Sequence, residues 1–128
     1  MTDQPDLQQI GMFYQHGKGN FWVAKVKNDL AGTIGLLDLG NGNVALRKMF
    51  VKDQYRGPSY AIAPSLLHTA IAWSKGNQVH SIFLGTTEKF LAAHRFYEKN
   101  GFRLIDPAEL PAEFPVMKVD TKFYRYSI

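Results

Sequence analysis

The chain has 128 residues, of which 45% are hydrophobic and 20% charged, and this balance is typical of a globular domain with its own core. It contains no cysteine, which excludes disulfides, thiolate catalysis and cysteine-based zinc sites. The four histidines show no metal-ligand spacing, no apolar run approaches the ~20 residues that cross a bilayer, and the first residues lack a signal-peptide pattern. We therefore expect residues 1–128 to form a single cytoplasmic domain that binds no metal and no membrane.

The charged residues give a net charge of +4, from fifteen Lys and Arg against eleven Asp and Glu. A basic balance can favour nucleic acid, but here the basic residues are scattered and form no cluster. A solvated basic surface explains this pattern better, and a cofactor with several phosphates would suit it as well. We expect no nucleic-acid partner.

The first half of the chain predicts one helix followed by strands. Apolar residues recur at helical spacing between Leu7 and Tyr14, before Gly17, and indicate a short amphipathic helix. Asn41-Gly42 favours a tight type I′ turn, which needs positive φ at both central residues. Three stretches rich in apolar and β-branched residues predict an antiparallel meander of strands: 21–26, 30–39 and 43–51.

The second half alternates helices with strands. A broad apolar stripe over residues 61–75, stopped by Gly76, predicts a helix. Short apolar runs predict three further strands: 79–84, 102–105 and 116–126.

A second helix is predicted between the first two of these strands. Thr86 or Thr87 can cap its start, and Asn100-Gly101 ends it after Lys99. The resulting order β-β-β-α-β-α-β-β predicts an α/β (α+β) fold with a single mixed, mostly antiparallel central sheet flanked by helices.

One continuous segment carries the strongest functional signal. An apolar strand ending at residue 51 leads into the polar loop 52–59 and then into a helix with the small residues Ala61 and Ala63 in its first turn. Unpaired backbone N–H groups and the positive end of the helix dipole point to the same place there, which favours an anion. Tyr97 on the later helix can reach the same crevice, so the pattern suggests a phosphate-bearing cofactor beside a proton donor.

Three blocks in this order resemble the GNAT family of N-acetyltransferases. They are Leu-Arg-Lys-Met-Phe-Val at 46–51, Tyr-Arg-Gly at 55–57, and Ala-Ala-His-Arg-Phe-Tyr-Glu-Lys-Asn-Gly-Phe at 92–102. The resemblance covers residues 21–124, and its spacing is more specific than any single block. It implies the GNAT (acyl-CoA N-acyltransferase) fold, acetyl-CoA as co-substrate, and an amine of a small molecule, peptide or protein as acceptor.

The resemblance is to a short member of bacterial type. Only about twenty residues precede residue 21, so by this resemblance we expect the usual first strand and first helix of the family to be absent. An exposed sheet edge and an open apolar face would follow, and both favour self-association. We therefore expect a homodimer.

The resemblance also implies a set of cofactor-binding residues. Backbone groups at the end of the strand 43–51 would bind the pantetheine arm, and the loop and helix start would bind the pyrophosphate. The family motif in this loop is Arg or Gln, any two residues, Gly, any one residue, and then Gly or Ala. In this chain the Tyr-Arg-Gly block lies two residues further upstream than it does in that motif. We expect alanine to avoid positive φ, so the loop geometry should differ from that of the family. The implied residues are Met49, Phe50, Val51, Arg56, Gly57, Ser59, Tyr60, Ala61, Ile62 and Ala63.

Tyr97 is the catalytic candidate. By resemblance it would protonate the departing CoA thiolate, for which a positioned phenol can serve as acid; otherwise it is an amphipathic core tyrosine. The family often has asparagine where this chain has Phe90, and Thr86 or Thr87 can take over part of its contact with the cofactor.

No general base stands out in the sequence. Acidic and imidazole side chains at Asp38, His68, His94 and Glu98 are open alternatives, each equally explained as a structural or surface residue. In the tail, Asp120 can help to select the amine or simply keep an edge strand soluble.

Two functions of different classes follow. The first is an N-acetyltransferase that works by direct attack in a ternary complex, since no cysteine can carry the acetyl group. The alternative is a catalytically weak acyl-CoA-binding regulatory module. Nucleic-acid binding rests on the basic balance alone.

Overall fold

A computed structural model describes residues 7–16, 19–57 and 59–128, with side chains from Asn20 onward. These residues form seven strands, two helices, and two short 3₁₀ turns at Asp53–Tyr55 and Pro107–Glu109. The strands are β1 Leu7–His16, β2 Gly19–Val26, β3 Asp29–Gly40, β4 Asn43–Val51, β5 Ser81–Thr86, β6 Arg103–Ile105 and β7 Lys122–Ser127. The helices are α1 Ile62–Gly76 and α2 Leu91–Lys99.

The strands form one sheet in the order β1-β2-β3-β4-β5-β7-β6. All pairs are antiparallel except the parallel pair β4–β5. The predicted mixed, mostly antiparallel sheet flanked by helices is therefore confirmed, with one more strand than the sequence indicated.

That additional strand replaces the predicted N-terminal helix, which was wrong. Residues 7–16 pair with β2 from Leu7 opposite Val26 to His16 opposite Gly19. The same stretch also alternates apolar residues at Ile10, Met12 and Tyr14, a period of two. The two periods predict a helix and a strand, respectively. Pairing with the otherwise open edge of β2 favours the strand, because a ladder of backbone hydrogen bonds stabilises it more than a short apolar stripe stabilises a helix.

The hairpin between β3 and β4 is as predicted. Asn41 and Gly42 have φ of 55° and 79°, the two positive values of a type I′ turn. The carbonyl of Gly42 accepts the backbone N–H of His80 at 2.6 Å, and a side chain at Gly42 would collide with the His80 ring. The turn therefore also fixes the start of β5 beside β4.

The predicted elements of the second half are confirmed in kind, with two wrong boundaries. Thr86 and Thr87 do not cap α2: Thr86 ends β5, and the N–H of Phe90 donates to the carbonyl of Thr87 at 3.2 Å in a turn that delays the helix to Leu91. The last strand begins at Lys122 and not at residue 116, because a turn precedes it.

The core has two parts, one on each face of the sheet. Alternate residues of β5 point to opposite faces, with Ile82 and Leu84 in one cluster and Phe83 in the other. The larger cluster lies under α1 and α2, and Trp22 of β2 meets Trp73 of α1 edge-on there, with ring centroids 5.8 Å apart. The smaller cluster is covered by the segment 106–121, so both faces near β5 are closed.

Candidate active site

The sheet opens between β4 and β5. The two strands pair at three positions only, the last of them Ala45 opposite Phe83. β4 continues to Val51 and β5 to Thr86 without further pairing to each other. The gap between these two strand ends is where the cavities described below lie.

A β-bulge lies in β4 beside this gap. Lys48 and Met49 together oppose the single β3 residue Ile34. Lys48 has φ of 57°, and its carbonyl accepts the hydroxyl of Thr33 at 2.6 Å. A bulge bends a strand and leaves one residue outside the ladder. Here it turns the end of β4 away from β5 and widens the opening.

The larger cavity, named here the large groove, has a volume of about 1010 Å³. It runs between the end of β4, the loop that follows, the start of α1, and α2. Its lining residues are Met49, Phe50, Val51, Tyr55, Arg56, Gly57, Ala61, Ile62, Ala63, Pro64, Lys89, Phe90, Leu91, Ala92, Ala93, Phe96 and Tyr97.

The loop wall of the groove is held by Arg56. Its Nε donates to the carbonyl of Val51 at 2.9 Å, and its Nη1 lies 2.8 Å from the carboxylate of Asp53. The side chain remains 61% exposed, so the guanidinium keeps further donors at the groove. Arg56 thus closes the loop on itself and still presents a positive charge.

A second anchor ties the same loop to the turn between β2 and β3. The carboxylate of Asp29 accepts Lys52 Nζ at 2.8 Å and the Tyr55 hydroxyl at 2.6 Å. The hydrogen bond from Lys52, and then that from Tyr55, lowers the pKa of Asp29, and the Asp29 carboxylate raises the pKa values of both partners. The Tyr55 ring also packs edge-on against Tyr60, with centroids 5.1 Å apart.

The start of α1 has an unusual backbone. Ala61 precedes the helix with φ of 52° and ψ of 37°, in the left-handed region. We expected alanine to avoid positive φ, and that expectation was wrong. The hydrogen bonds from Ala61 N–H to the Gly57 carbonyl and from Ser65 N–H to the Ala61 carbonyl hold this conformation. No side chain caps the helix, so N–H groups of its first turn face the groove uncapped.

Tyr97 is fixed by the way α2 ends. The N–H of Phe102 donates to the Tyr97 carbonyl at 3.0 Å and that of Gly101 to the Glu98 carbonyl at 3.2 Å, with Gly101 at φ of 97°. This is a Schellman motif, and its usual apolar contact is made by the Phe102 and Tyr97 rings, 5.5 Å apart. The motif sets the direction of the Tyr97 side chain.

The hydroxyl of Tyr97 is buried without a partner. The residue is 7% exposed, and among the residues that the structure describes no group hydrogen-bonds to its hydroxyl. Burial raises the pKa of Tyr97 to about 12. A buried donor of this kind is costly unless a ligand satisfies it.

A second cavity, named here the small cavity, has a volume of about 270 Å³ and meets the groove at Tyr97. Met49, Phe90, Ala93 and Tyr97 line both cavities. From them the small cavity extends towards the segment 106–121, on the sheet face opposite to α1. Its other lining residues are Leu46, Arg47, Lys48, Leu84, Gly85, Thr86, Phe114, Pro115, Met117 and Asp120.

Most of the residues that the sequence suggested for the cofactor come together in the large groove. Those that line it are Met49, Phe50, Val51, Arg56, Gly57, Ala61, Ile62, Ala63 and Phe90. Thr86 lines the small cavity instead. Ser59, Tyr60 and Thr87 line neither cavity.

Sequence reasoning missed part of both walls. Lys89, Ala92, Ala93 and Phe96 share one face of the α2 region with Tyr97, and their spacing of three or four residues could have indicated this. Asp120 of the small cavity was singled out from the sequence, whereas Gly85, Phe114 and Met117 carried no such signal.

The candidate bases lie elsewhere. His94 is buried and donates Nε2–H to the carbonyl of Thr87 at 2.8 Å, and Glu98 accepts the Tyr124 hydroxyl at 2.7 Å. His68 lies 3.3 Å from Asn100, and Asp38 accepts the Gly40 N–H at 2.8 Å. None of the four lines either cavity.

Known proteins resemble this chain over most of its length. A crystal structure of a GNAT-family acetyltransferase from Staphylococcus aureus Mu50 is 41% identical, with a TM-score of 0.81 over 87% of this chain and 69% of that one. N-acetylaspartate synthetase of Xenopus tropicalis is 34% identical over 84% of this chain. The match covers 39% of that relative, so this chain spans about two fifths of its length.

A more distant solved structure agrees in fold. The GNAT acetyltransferase of Elizabethkingia anophelis, solved with acetyl-CoA bound, is 19% identical and has a TM-score of 0.70 over 87% of this chain and 77% of that one. The model of the acetyltransferase (GNAT) family matches residues 2–102. With that match over most of its sequence, the chain belongs to the GNAT acetyltransferase family.

Proposed function

We propose that the 128-residue chain acts as one acetyl-CoA-dependent N-acetyltransferase domain. It transfers the acetyl group to a primary amine of a small molecule, peptide or protein by direct attack in a ternary complex. One observation carries the proposal: two cavities meet at a buried tyrosine hydroxyl that has no described partner. The names of the relatives, which are acetyltransferases and a synthetase of an N-acetylated product, support it.

The large groove fits acetyl-CoA. Its volume of about 1010 Å³ suits a large cofactor. The end of β4, from Met49 to Val51, pairs with β3 but not with β5, so its edge towards the opening can offer backbone groups to the pantetheine arm. The uncapped first turn of α1 and the positive charges of Arg56 and Lys89 suit its phosphates.

Tyr97 would act at the junction of the cavities. When bound, acetyl-CoA supplies the carbonyl carbon that the amine attacks and the thiolate that departs as the C–S bond breaks. The hydroxyl of Tyr97 stays protonated at neutral pH, because burial raises its pKa to about 12. The same burial disfavours the departing thiolate, so a protonated phenol beside the sulfur suits the step. Tyr97 donates a hydrogen bond, and then its proton, to the sulfur as the C–S bond breaks.

The amine must lose a proton before it attacks. The four candidate bases lie outside both cavities, so we propose that water in the small cavity takes this proton. Asp120, which lines that cavity, contacts the acceptor.

The first experiment measures the thermal midpoint with and without excess acetyl-CoA. A ligand at ~100 times its Kd stabilises the native state by ~2.7 kcal/mol, which raises the midpoint by several degrees for a domain of this size. ADP, which lacks the pantetheine arm, is the matched control and should give a smaller rise. An unchanged midpoint at millimolar acetyl-CoA would contradict the donor site.

The second experiment measures CoA release with a thiol-reactive dye in the presence of an amine panel. The chain has no cysteine, so the protein itself adds no thiol signal. The alternative function, a catalytically weak acyl-CoA-binding regulatory module, predicts a raised midpoint without thiol release. Phe90 favours it: the side chain is 60% exposed and lines both cavities without any hydrogen-bonding group.

We further propose a homodimer and a cytoplasmic location. Exposed apolar side chains such as Leu30 and Leu37, 40% and 42% exposed, support self-association. A monomer mass that does not change with concentration would argue against the dimer, and cell fractionation tests the location. No helix among the described residues has the length and apolar character to cross a membrane. Nucleic acid is not a proposed partner; salt-dependent DNA or RNA binding would contradict this.

A further inference from the structure

The small cavity is lined by charges of both signs, with Asp120 facing it from one segment and Arg47 and Lys48 from β4. We propose that it selects an amine with a carboxylate beside it, as in a free amino acid, with Asp120 binding the ammonium and Arg47 the carboxylate. This inference rests on the proposed acetyl transfer and names the acceptor class for it.

Asp120 is aimed at the floor of the cavity. A Cβ built on Gly85 would lie 2.6 Å from its Oδ2 and 3.2 Å from its Oδ1, so the carboxylate lies directly over the bare backbone of β5. Oδ2 accepts the backbone N–H of Met117 at 2.9 Å. Among the described residues no group bonds to Oδ1, which leaves that oxygen for a cation in the cavity.

Arg47 supplies the opposite charge from β4. Its Nη2 lies 3.9 Å from the sulfur of Met117, a weak acceptor, and this is the one contact described for its guanidinium. No carboxylate of the described residues pairs with it, although Asp120 lines the same cavity. An arginine without an acidic partner is suited to bind a carboxylate through two parallel hydrogen bonds.

Met117 contacts both charged groups. Its backbone N–H donates to Asp120, its sulfur accepts Arg47, and the two charged side chains form no described ion pair with each other. A ligand with an ammonium and a carboxylate a few bonds apart would satisfy both. The cavity, at about 270 Å³, is smaller than a site for drug-sized ligands, which favours a small acceptor over a folded protein.

The experiment compares each free amino acid with its α-carboxamide, which has the same side chain and amine but no α-carboxylate. Thiol release at saturating acetyl-CoA gives kcat/KM for each member of the pair. We expect the acid to be favoured by about tenfold to a hundredfold, the size of a hydrogen-bonded charge contact. The less basic amine of the amide is more easily deprotonated, so chemistry alone would favour the amide.

Two variants assign the contacts. Arg47→Gln should raise KM for the acids about tenfold and leave KM for the amides unchanged. Asp120→Asn should raise KM for both, because it removes the charge that binds the ammonium while its side-chain oxygen can still accept the Met117 N–H. Arg103→Gln, on the exposed strand β6, is the matched control and should change neither.

The possible results separate this inference from the proposed function. Amides used as well as acids, or no acceptor used while acetyl-CoA still raises the thermal midpoint, would overturn the inference and leave the donor site in place. An unchanged KM in both variants would also overturn it. No midpoint rise and no thiol release would reject the proposed function and this inference together.

Discussion

The large groove and the small cavity are built from the chain in different ways. The loop wall of the groove comes from one continuous stretch, and its internal contacts join residues three to five positions apart, as between Arg56 and Asp53 or Val51. The small cavity depends on distant segments: Arg47 meets Met117 across 70 positions, and Asp120 lies over Gly85. Local chain geometry therefore shapes the loop wall of the groove, whereas the tertiary fold sets the cavity.

Tyr97 belongs to both regions, so its removal should have the largest effect. Tyr97→Phe should lower kcat about 100-fold or more, because the departing sulfur loses its hydrogen bond, while the Kd of acetyl-CoA changes little. Steady-state kinetics and the acetyl-CoA thermal shift measure the two quantities. Tyr126→Phe, on the neighbouring strand β7, is the control. An unchanged kcat in Tyr97→Phe would remove the assigned role.

Alkaline pH should test the burial at the junction. The pKa of Tyr97 is about 12 in the folded protein and about 10 in the unfolded chain. The contribution of its protonated hydroxyl to the free energy of unfolding is therefore complete below pH 10 and is lost as pH rises towards 12. Between pH 9 and 11, the free energy of unfolding of the native protein should fall by ~1.4 kcal/mol more than that of Tyr97→Phe. Urea unfolding at both pH values measures this. Equal losses would mean that Tyr97 ionises normally.

A change in the loop anchor should affect cofactor binding in the groove without affecting acceptor binding in the small cavity. Asp29→Asn removes the ion pair with Lys52 and weakens the bond to Tyr55, so we expect the Kd of acetyl-CoA to rise about fivefold. Acceptor KM should stay the same, and Glu113→Gln, exposed on segment 106–121, should change neither.

The same anchor should respond to acid. The hydrogen bond from Lys52, and to a smaller extent that from Tyr55, lowers the pKa of Asp29. The anchor is therefore complete above about pH 4 and is lost as pH falls through this lowered pKa. The Kd of acetyl-CoA in Asp29→Asn should therefore depend less on pH in this range. A parallel dependence in both proteins would contradict the role of the anchor.

The smallest predicted effect compares two alanines at the start of α1. Ala61 has positive φ, where glycine has no Cβ penalty, so Ala61→Gly should be neutral or stabilising by up to ~1 kcal/mol. Ala63 lies within the helix, and Ala63→Gly should destabilise by ~0.5–1 kcal/mol. Thermal midpoints of the two variants test the difference in sign. Equal destabilisation would mean that Ala61 is not strained.

The features that the sequence predicted correctly depend on residues close together in the chain. The β3–β4 turn followed from Asn41-Gly42, and the end of α2 followed from Asn100-Gly101, because turn chemistry is local. The strand β1 was missed because its partner, β2, decides its structure. Left-handed Ala61 and Lys48 were missed because surrounding hydrogen bonds hold them there, and nothing in their side chains indicates it. Asp120 was singled out, but its position over Gly85 depends on the tertiary fold.

The Schellman motif at the end of α2 has a consequence for redesign. Gly101, which helps to place Tyr97 through this motif, lines neither cavity. It has φ of 97°, and a Cβ there would lie 3.0 Å from the Tyr126 ring. A designer who transplants Tyr97 to another helix must therefore copy the terminator from Asn100 to Phe102 with it. The same holds for natural substitutions. A change at Gly101 would alter the orientation of the Tyr97 side chain, although Gly101 itself lines no surface that a ligand touches.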